Sequence, residues 1–438
     1  MNNSPRTQNI NRFVVHLVKS CIPYLSVSDS QMEKKCKDLD LLHTIWDKDT
    51  SEVYTAKVYA AVTKMFASNV FRPLPPSSYT LAAENEAIVA VAASIGMPPV
   101  MPKPDYDMMA SAAEFTQTAI TYQAFQSFVD RTEFDAEVAS QFFDRRFVNG
   151  LAHRLNSGDS YERQTVRDTM ARMWYACPFI HEHMLDAVVA ELADFAYGYV
   201  PRHNGIDDLL HFLANNVVYE DVCQLPILKL CRVLTHLLKH PFLIAFKSNL
   251  IECVRVLDRT QKELIPHMLI FITKLWSFQN LKTIVLLRAM SDLYNVCDTD
   301  KWISLQLQIV GPLSKLFCND DFQLADESMN FWNRILHENM KFWQSKQDDV
   351  RIVVNALKKV KRIHWNLDCV NIASSLLDFM VAKHVIKDNY MEDSEEMFQE
   401  GIRSGVNYDY TYKSIQKLVS PKISSTLPSS TDMPTTEL

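Results

Sequence analysis

Glycine is scarce in this chain, with eight among 438 residues. Too few are clustered to build a P-loop or a dinucleotide fingerprint, both of which need glycine where backbone meets phosphate. No convincing hairpin signal separates alternating apolar runs, so a sheet-rich fold is not expected. The nine cysteines include no Cys-x-x-Cys pair. Several of them (Cys177, Cys231, Cys253) sit in apolar helical stretches, which predicts reduced, buried thiols rather than a disulfide framework. No run of 18 apolar residues is present and the first residues hold no apolar signal core, so neither a membrane span nor an export signal is expected. These absences predict a cytoplasmic protein, with the nucleus also open. Positive charge is not in excess either. Lys and Arg number 45 against 52 Asp and Glu, a net charge of −7, which argues against nucleic acid as a partner.

What is present is apolar residues at helical spacing, within a composition that is 47% hydrophobic. Phe143, Phe147, Leu151 and Leu155 recur every fourth residue until Asn156-Ser157-Gly158-Asp159 interrupts them. Val166, Met170, Met173, Trp174 and Cys177 follow, and Pro178 stops them. Met184, Val188, Leu192, Phe195 and Tyr199 form a third stripe, and Ile206, Leu209, Leu210, Leu213 and Val217 a fourth. Each spacing lines one face of an α-helix. The interruptions carry Asn, Asp, Ser, Gly and Pro, the residues that start and stop helices. Pro201 and Pro241 stand 40 residues apart, as do Pro226 and Pro266, a period that suits a two-helix repeat. The expected fold is all-α, a HEAT- or armadillo-like solenoid of antiparallel helix pairs.

The repeat array is expected to span 10–390, after a flexible N-terminus at 1–9. Helices are predicted over Ile10–Leu25, Met32–Trp46, Val53–Val70 and Asp107–Asp130, and later at about 242–257, 262–277, 279–296, 302–318, 322–343, 347–362 and 367–385. A proline-containing insertion at 71–106 reads as irregular, with a short helix open at Thr80–Ile95. Residues 391–438, acidic and then rich in Ser, Thr and Pro, read as a partly disordered tail.

No catalytic constellation is apparent. His181-Glu182-His183 puts its two imidazoles on nearly opposite sides of a helix, so no metal site is expected there. No nucleophile elbow occurs, no Cys–His pair stands out, and no cofactor is implied. The basic run Lys358–Arg362 reads as a solvated helix end and the acidic run Glu392–Glu396 as a solvated segment. Phe331-Trp332 and Trp365 read as core.

Six short pieces carry a further signal. In order they are Val70–Ser78, Phe143–Val148, Thr169–Trp174, His203–Ile206 with Leu209-Leu210, Phe322–Asp326 with Phe331-Trp332-Asn333, and His364–Asn366. In this order and at this spacing the chain resembles a divergent member of the B-prime (56 kDa) regulatory subunits of protein phosphatase 2A, over about residues 10–385. The resemblance implies a HEAT-like, non-catalytic regulatory subunit of a heterotrimer acting in signal transduction. Such a subunit would bind the phosphatase scaffold and catalytic subunits and select phosphoprotein substrates through short linear motifs. The alternative is a HEAT-type interaction adaptor that no longer binds the phosphatase core. The family's groove for a Leu-x-x-Ile-x-Glu motif maps onto Val166–Cys177 and Ile206–Val218. Arg172 then stands at the groove arginine and Trp174 at an aromatic position, with Phe212 an apolar wall. Ala171, His211 and Asn216 replace a histidine, a glutamate and an isoleucine. A surface salt bridge is the plainer role open to Arg172.

Overall fold

The computed structural model describes residues 5–26, 30–48, 52–74, 106–200, 203–217, 224–259, 262–276 and 280–386. The insertion beyond Leu74, the tail beyond Ile386 and the expectations placed on them lie outside these residues, as does Pro201. Every regular element among the described residues is helical, and the fold is the all-α solenoid. The chain divides into two compact units, Met1–Ile309 and Val310–Leu438.

The first unit contains α1 (Pro5–Ser20), α2 (Met32–Lys48), α3 (Ala56–Val70), α4 (Tyr106–Val129), the single turn α5 (Ala136–Ala139), α6 (Arg145–Arg154), α7 (Ser160–Ala176), α8 (His181–Ala196), α9 (Ile206–Asn216), α10 (Gln224–Leu237), α11 (Leu243–Asp258), α12 (Leu264–Leu275) and α13 (Asn280–Val296). Helix α14 (Thr299–Leu316) crosses the boundary. Two layers account for the packing. In one, α2, α4, α7, α9, α11 and α13 each touch the next; in the other, α1, α3, α6, α8, α10 and α12 do the same. The pairs α6 and α7, α8 and α9, α10 and α11, and α12 and α13 close the layers on each other.

The repeat shows in the side-chain bonds that cross between helices. Arg163 to Asp208, Lys247 to Asp292, Lys301 to Asp258 and the Cys253 thiol to the Leu210 carbonyl join residues 43 to 45 apart. That separation is close to the proline spacing and measures one two-helix repeat from side chain to side chain.

Of the four stripes, the first, second and fourth are buried at every position named. The third fails at its end. Tyr199 is 79% exposed, because α8 stops at Ala196 and Gly198 takes φ +81°, turning the chain away before Tyr199 can follow the stripe. Helix α1 begins at Pro5, ahead of the expected Ile10, and ends at Ser20. Proline fits a first helical turn, while Pro23 cannot prolong the far end.

The first two of the six pieces meet in one packing cluster. Phe71 joins Phe66, Phe125, Phe143 and Phe147 in one aromatic cluster, each buried ring contributing about 2–3 kcal/mol. Gly150 leaves room for it: a Cβ there would sit 3.0 Å from the Phe71 ring. The Arg72 guanidinium stacks 3.3 Å over Tyr24, and the Arg72 carbonyl accepts from Arg154 Nη1 at 3.0 Å. A further piece, His203-Asn204-Gly205, is described with the site below.

The second unit holds α15 (Phe322–Glu338), α16 (Met340–Ser345), α17 (Gln347–Ile363) and α18 (Leu367–Ala382). The single helix expected over 322–343 is two, divided at Asn339. Phe331 and Trp332 are core, and Trp332 meets Trp343 edge-on at 4.9 Å. Trp365 corrects the expectation of core packing, being 65% exposed. Its indole N–H donates to the Asp320 carbonyl at 2.8 Å. That bond anchors it in the loop between α17 and α18, outside either helix's apolar face.

Candidate functional site

Helices α7 and α9 lie side by side in one layer, and the turns before them set their register. The Asp159 carboxylate caps α7 by accepting from the Tyr161 N–H at 2.8 Å, as an N-cap acid should. At the start of α9, Asn204 N–H donates to Asn156 Oδ1 at 2.9 Å, and Asn204 Nδ2 to the Asn156 carbonyl at 3.0 Å. Both asparagines are buried, so each exchanges its water for the other. Gly205 sits so close that a Cβ would lie 1.9 Å from the Leu155 carbonyl oxygen. No other residue permits that approach.

Three charged groups then lock the helices together. Arg163 Nε donates to Asp208 Oδ2 at 2.9 Å and Arg167 Nη1 to Asp208 Oδ1 at 3.0 Å. Arg163 Nη1 also holds the Ser157 carbonyl at 3.0 Å. Beneath them Arg154 and Glu162 form a buried pair, with Ser157 Oγ donating to the second Glu162 oxygen. These arginines are spent on structure.

Arg172 is different. It lies on α7 with 44% of its side chain exposed and pairs with Asp130, just past the end of α4, whose side chain is 42% exposed. Such a pair is weak in water and can exchange for an incoming acid. Trp174, two residues on, is 4% exposed. It stacks on His181 at 3.8 Å with 10° between planes, and meets Phe212 edge-on at 5.9 Å. Phe212 is fully buried. His211 is half-buried on α9, one turn beyond Asp207. Burial raises the Asp207 carboxyl above the ordinary range, against the opposing bond from Asn249. Asn216 is buried and donates to the Phe212 carbonyl at 3.1 Å.

Of the four candidate residues, the structure joins Trp174 to Phe212 and directs Arg172 toward α4. The residue missed in the sequence is His181. Its Nε2 lies 2.7 Å from the Trp174 carbonyl oxygen, making it the second plate of the aromatic stack. Pro178 breaks the helix between them, so no periodicity could have revealed the pairing.

The arrangement places one exposed cation, Arg172, on the same helix as a packed aromatic stack. Burial pushes the Cys177 thiol up to about 12, so it is no nucleophile at neutral pH. Among the described residues no group of His, Cys, Asp and Glu is arranged to hold a metal ion.

Comparison with known sequences bears on the whole chain. The profile described as protein phosphatase 2A regulatory B subunit, B56 family, matches residues 2–404. The 56 kDa regulatory subunit delta isoform of Oryctolagus cuniculus is 22% identical over 383 residues, covering 84% of this chain and 60% of that protein. The 57 kDa regulatory protein of Oryza sativa subsp. japonica, a B-prime kappa isoform, is 24% identical over 412 residues, 89% of this chain and 75% of that one. The human 56 kDa beta isoform is 23% identical over 361 residues, 80% and 65% respectively. The chain thus spans about 60% of the length of the delta isoform it matches. With a family match over nearly its entire length and a solenoid to match, the chain belongs to the B56 family of protein phosphatase 2A regulatory B subunits.

Proposed function

We propose that the chain is the regulatory subunit of a protein phosphatase 2A heterotrimer, binding the scaffold and catalytic subunits and selecting phosphoprotein substrates for them. The observation that carries the reading is the family match over 2–404. The stacked layers support it, since they present long helical faces. Such a subunit acts by raising the concentration of substrate near a partner's active site.

Within that reading, Arg172 is the substrate-facing cation, reached on the α4 side of α7. It takes the acidic side chain of a docking motif in exchange for Asp130. The apolar positions of the groove differ from the usual pattern, because Trp174 and Phe212 are packed on each other and on His181, leaving little apolar surface for a peptide. A Leu-x-x-Ile-x-Glu peptide is therefore expected to bind weakly.

The test is size-exclusion chromatography of the full chain with purified scaffold–catalytic dimer, followed by peptide binding to the trimer. A stoichiometric trimer is expected, with peptide affinity falling roughly tenfold in Arg172→Ala, the loss of one charge-assisted contact. Absence of a trimer at low salt overturns the function. A trimer whose peptide affinity ignores Arg172→Ala overturns only the groove assignment.

A further inference from the structure

The layer opposite α7 and α9 carries a feature that this function does not use. Helices α10 and α12 contain no acidic residue, although acids outnumber bases in the chain. The outer face of α10 holds Lys229, Arg232 and His236 at i, i+3 and i+7, with Lys239 just beyond its end. Next to it in the layer, α12 holds His267, Phe271 and Lys274 at i, i+4 and i+7. Lys229, Arg232, Lys239 and Lys274 are exposed and the others half-buried.

Aromatic rings, not carboxylates, stand beside Lys239 and the two histidines. Lys239 Nζ sits 5.2 Å over the Phe271 ring, His267 stacks on Phe271 at 6.2 Å, and Tyr197 meets His236 edge-on at 4.9 Å. Lys282 Nζ reaches in to the Lys239 carbonyl at 2.6 Å. Among the described residues, no carboxylate lies within ion-pair distance of Lys229, Arg232, Lys239 or Lys274. The histidines report the same field. Burial first, and then Lys239, Lys282 and Lys274 respectively, hold His236, His240 and His267 below their ordinary values.

Like charges on one face repel and destabilise it, and an anionic ligand relieves that repulsion. The size and borders of the face limit the ligand. Lys229 to Lys239 covers about 15 Å along α10, and the α12 row lies about 8–10 Å away, the footprint of about five extended residues. Acids stand at the borders: Asp194 on α8 and Glu263 just before α12 are exposed and would repel a longer polyanion such as a nucleic-acid duplex. We propose that the outer face of α10 and α12 docks a short acidic segment of a partner protein, one carrying several carboxylate or phosphate groups within about five residues. The surface lies in the layer opposite Arg172, so it stands whether or not the phosphatase assignment does.

Fluorescence anisotropy on the full chain tests this, with a labelled peptide containing Glu-Glu-Asp-Glu-Glu and a second containing two phosphoserines. Both are expected to bind at low salt and to weaken toward physiological salt. Lys229→Glu with Arg232→Glu, and separately Lys239→Glu with Lys274→Glu, should each weaken binding about tenfold or more, while Lys37→Glu, an exposed cation on α2, leaves it unchanged. Glutamine replacements at the same positions give a smaller loss in the same order, which keeps the test valid should a charge reversal unfold the chain. The proposal is overturned if neither peptide binds, or if affinity ignores both pairs of substitutions. It is equally overturned if a short DNA duplex or phosphatidylserine vesicles bind more tightly than the peptides and lose more on charge reversal.

Discussion

Single residues set the local order of this protein, and the cluster around Glu191 shows how. His203 Nδ1 accepts from the Gly205 N–H at 3.1 Å, so its proton sits on Nε2, which faces Glu191 Oε2 at 3.4 Å. His153 Nδ1 approaches the other oxygen at 3.2 Å. Burial alone would raise the Glu191 carboxyl, but the bonds from His153 and His203 outweigh it, bringing it to about 2. The bond to Glu191 in turn raises the His153 imidazole above its ordinary value. The signs fix a pH window. The Glu191 contribution is present above the ordinary carboxyl range and lost as pH falls through about 2. The His153 contribution is full below its ordinary value of 6.5 and lost as pH rises through its raised one. Replacing His153 with alanine should therefore lower the thermal midpoint more at about pH 5.5 than at about pH 8.5. Equal losses at both pH values would show that the imidazole acts by packing alone.

At the scale of the element, apolar periodicity and tertiary burial agree where a residue lies inside a helix and part company at helix ends. Met170, Leu192 and Leu213 fall on stripes and are fully buried. Trp365 and Tyr199 are as apolar as their neighbours but lie past a helix end, where exit geometry decides exposure. The two tryptophans of the second unit make this measurable. Trp332 is fully buried against Trp343, so Trp332→Ala should cost ~3–5 kcal/mol. Trp365→Ala should cost only about 1 kcal/mol, chiefly its bond to the Asp320 carbonyl. Urea midpoints of the two variants check the order, and a larger loss at Trp365 would mean that its ring is covered in solution.

At the scale of the molecule, the main contacts of the described helices in the first unit run between neighbours in the two layers, so damage should stay local. Gly205→Ala drives a methyl group into the Leu155 carbonyl and must shift α9 away from the turn after α6. Hydrogen exchange should accelerate in α6, α7 and α9 while α1, α2 and α13 keep wild-type protection. Uniform acceleration across the first unit would instead indicate a single cooperative block.

The residue order alone determined that this chain is an array of helix pairs, because apolar period, caps and scarce glycine act within one or two turns and need no partner; it did not settle the thiols, since Cys177 and Cys253 are buried but Cys231 is only half-buried. It also carried the family, through six pieces, several of which proved to be contacts: Phe71, Phe143 and Phe147 in the aromatic cluster with Arg72 at its edge, Asn204-Gly205 against Asn156 and Leu155, and Trp332 against Trp343. Only the tertiary structure decided which arginines are free to meet a ligand. Arg154, Arg163, Arg167 and Arg172 look alike along α6 and α7, yet the first three are committed to Glu162, the Ser157 carbonyl and Asp208, and Arg172 alone pairs at the surface. The cations of α10 and α12 gather on one face for the same kind of reason. They belong to helices 40 residues apart in sequence that become neighbours only when the repeats stack, and charge is a property of what stands beside a group in space.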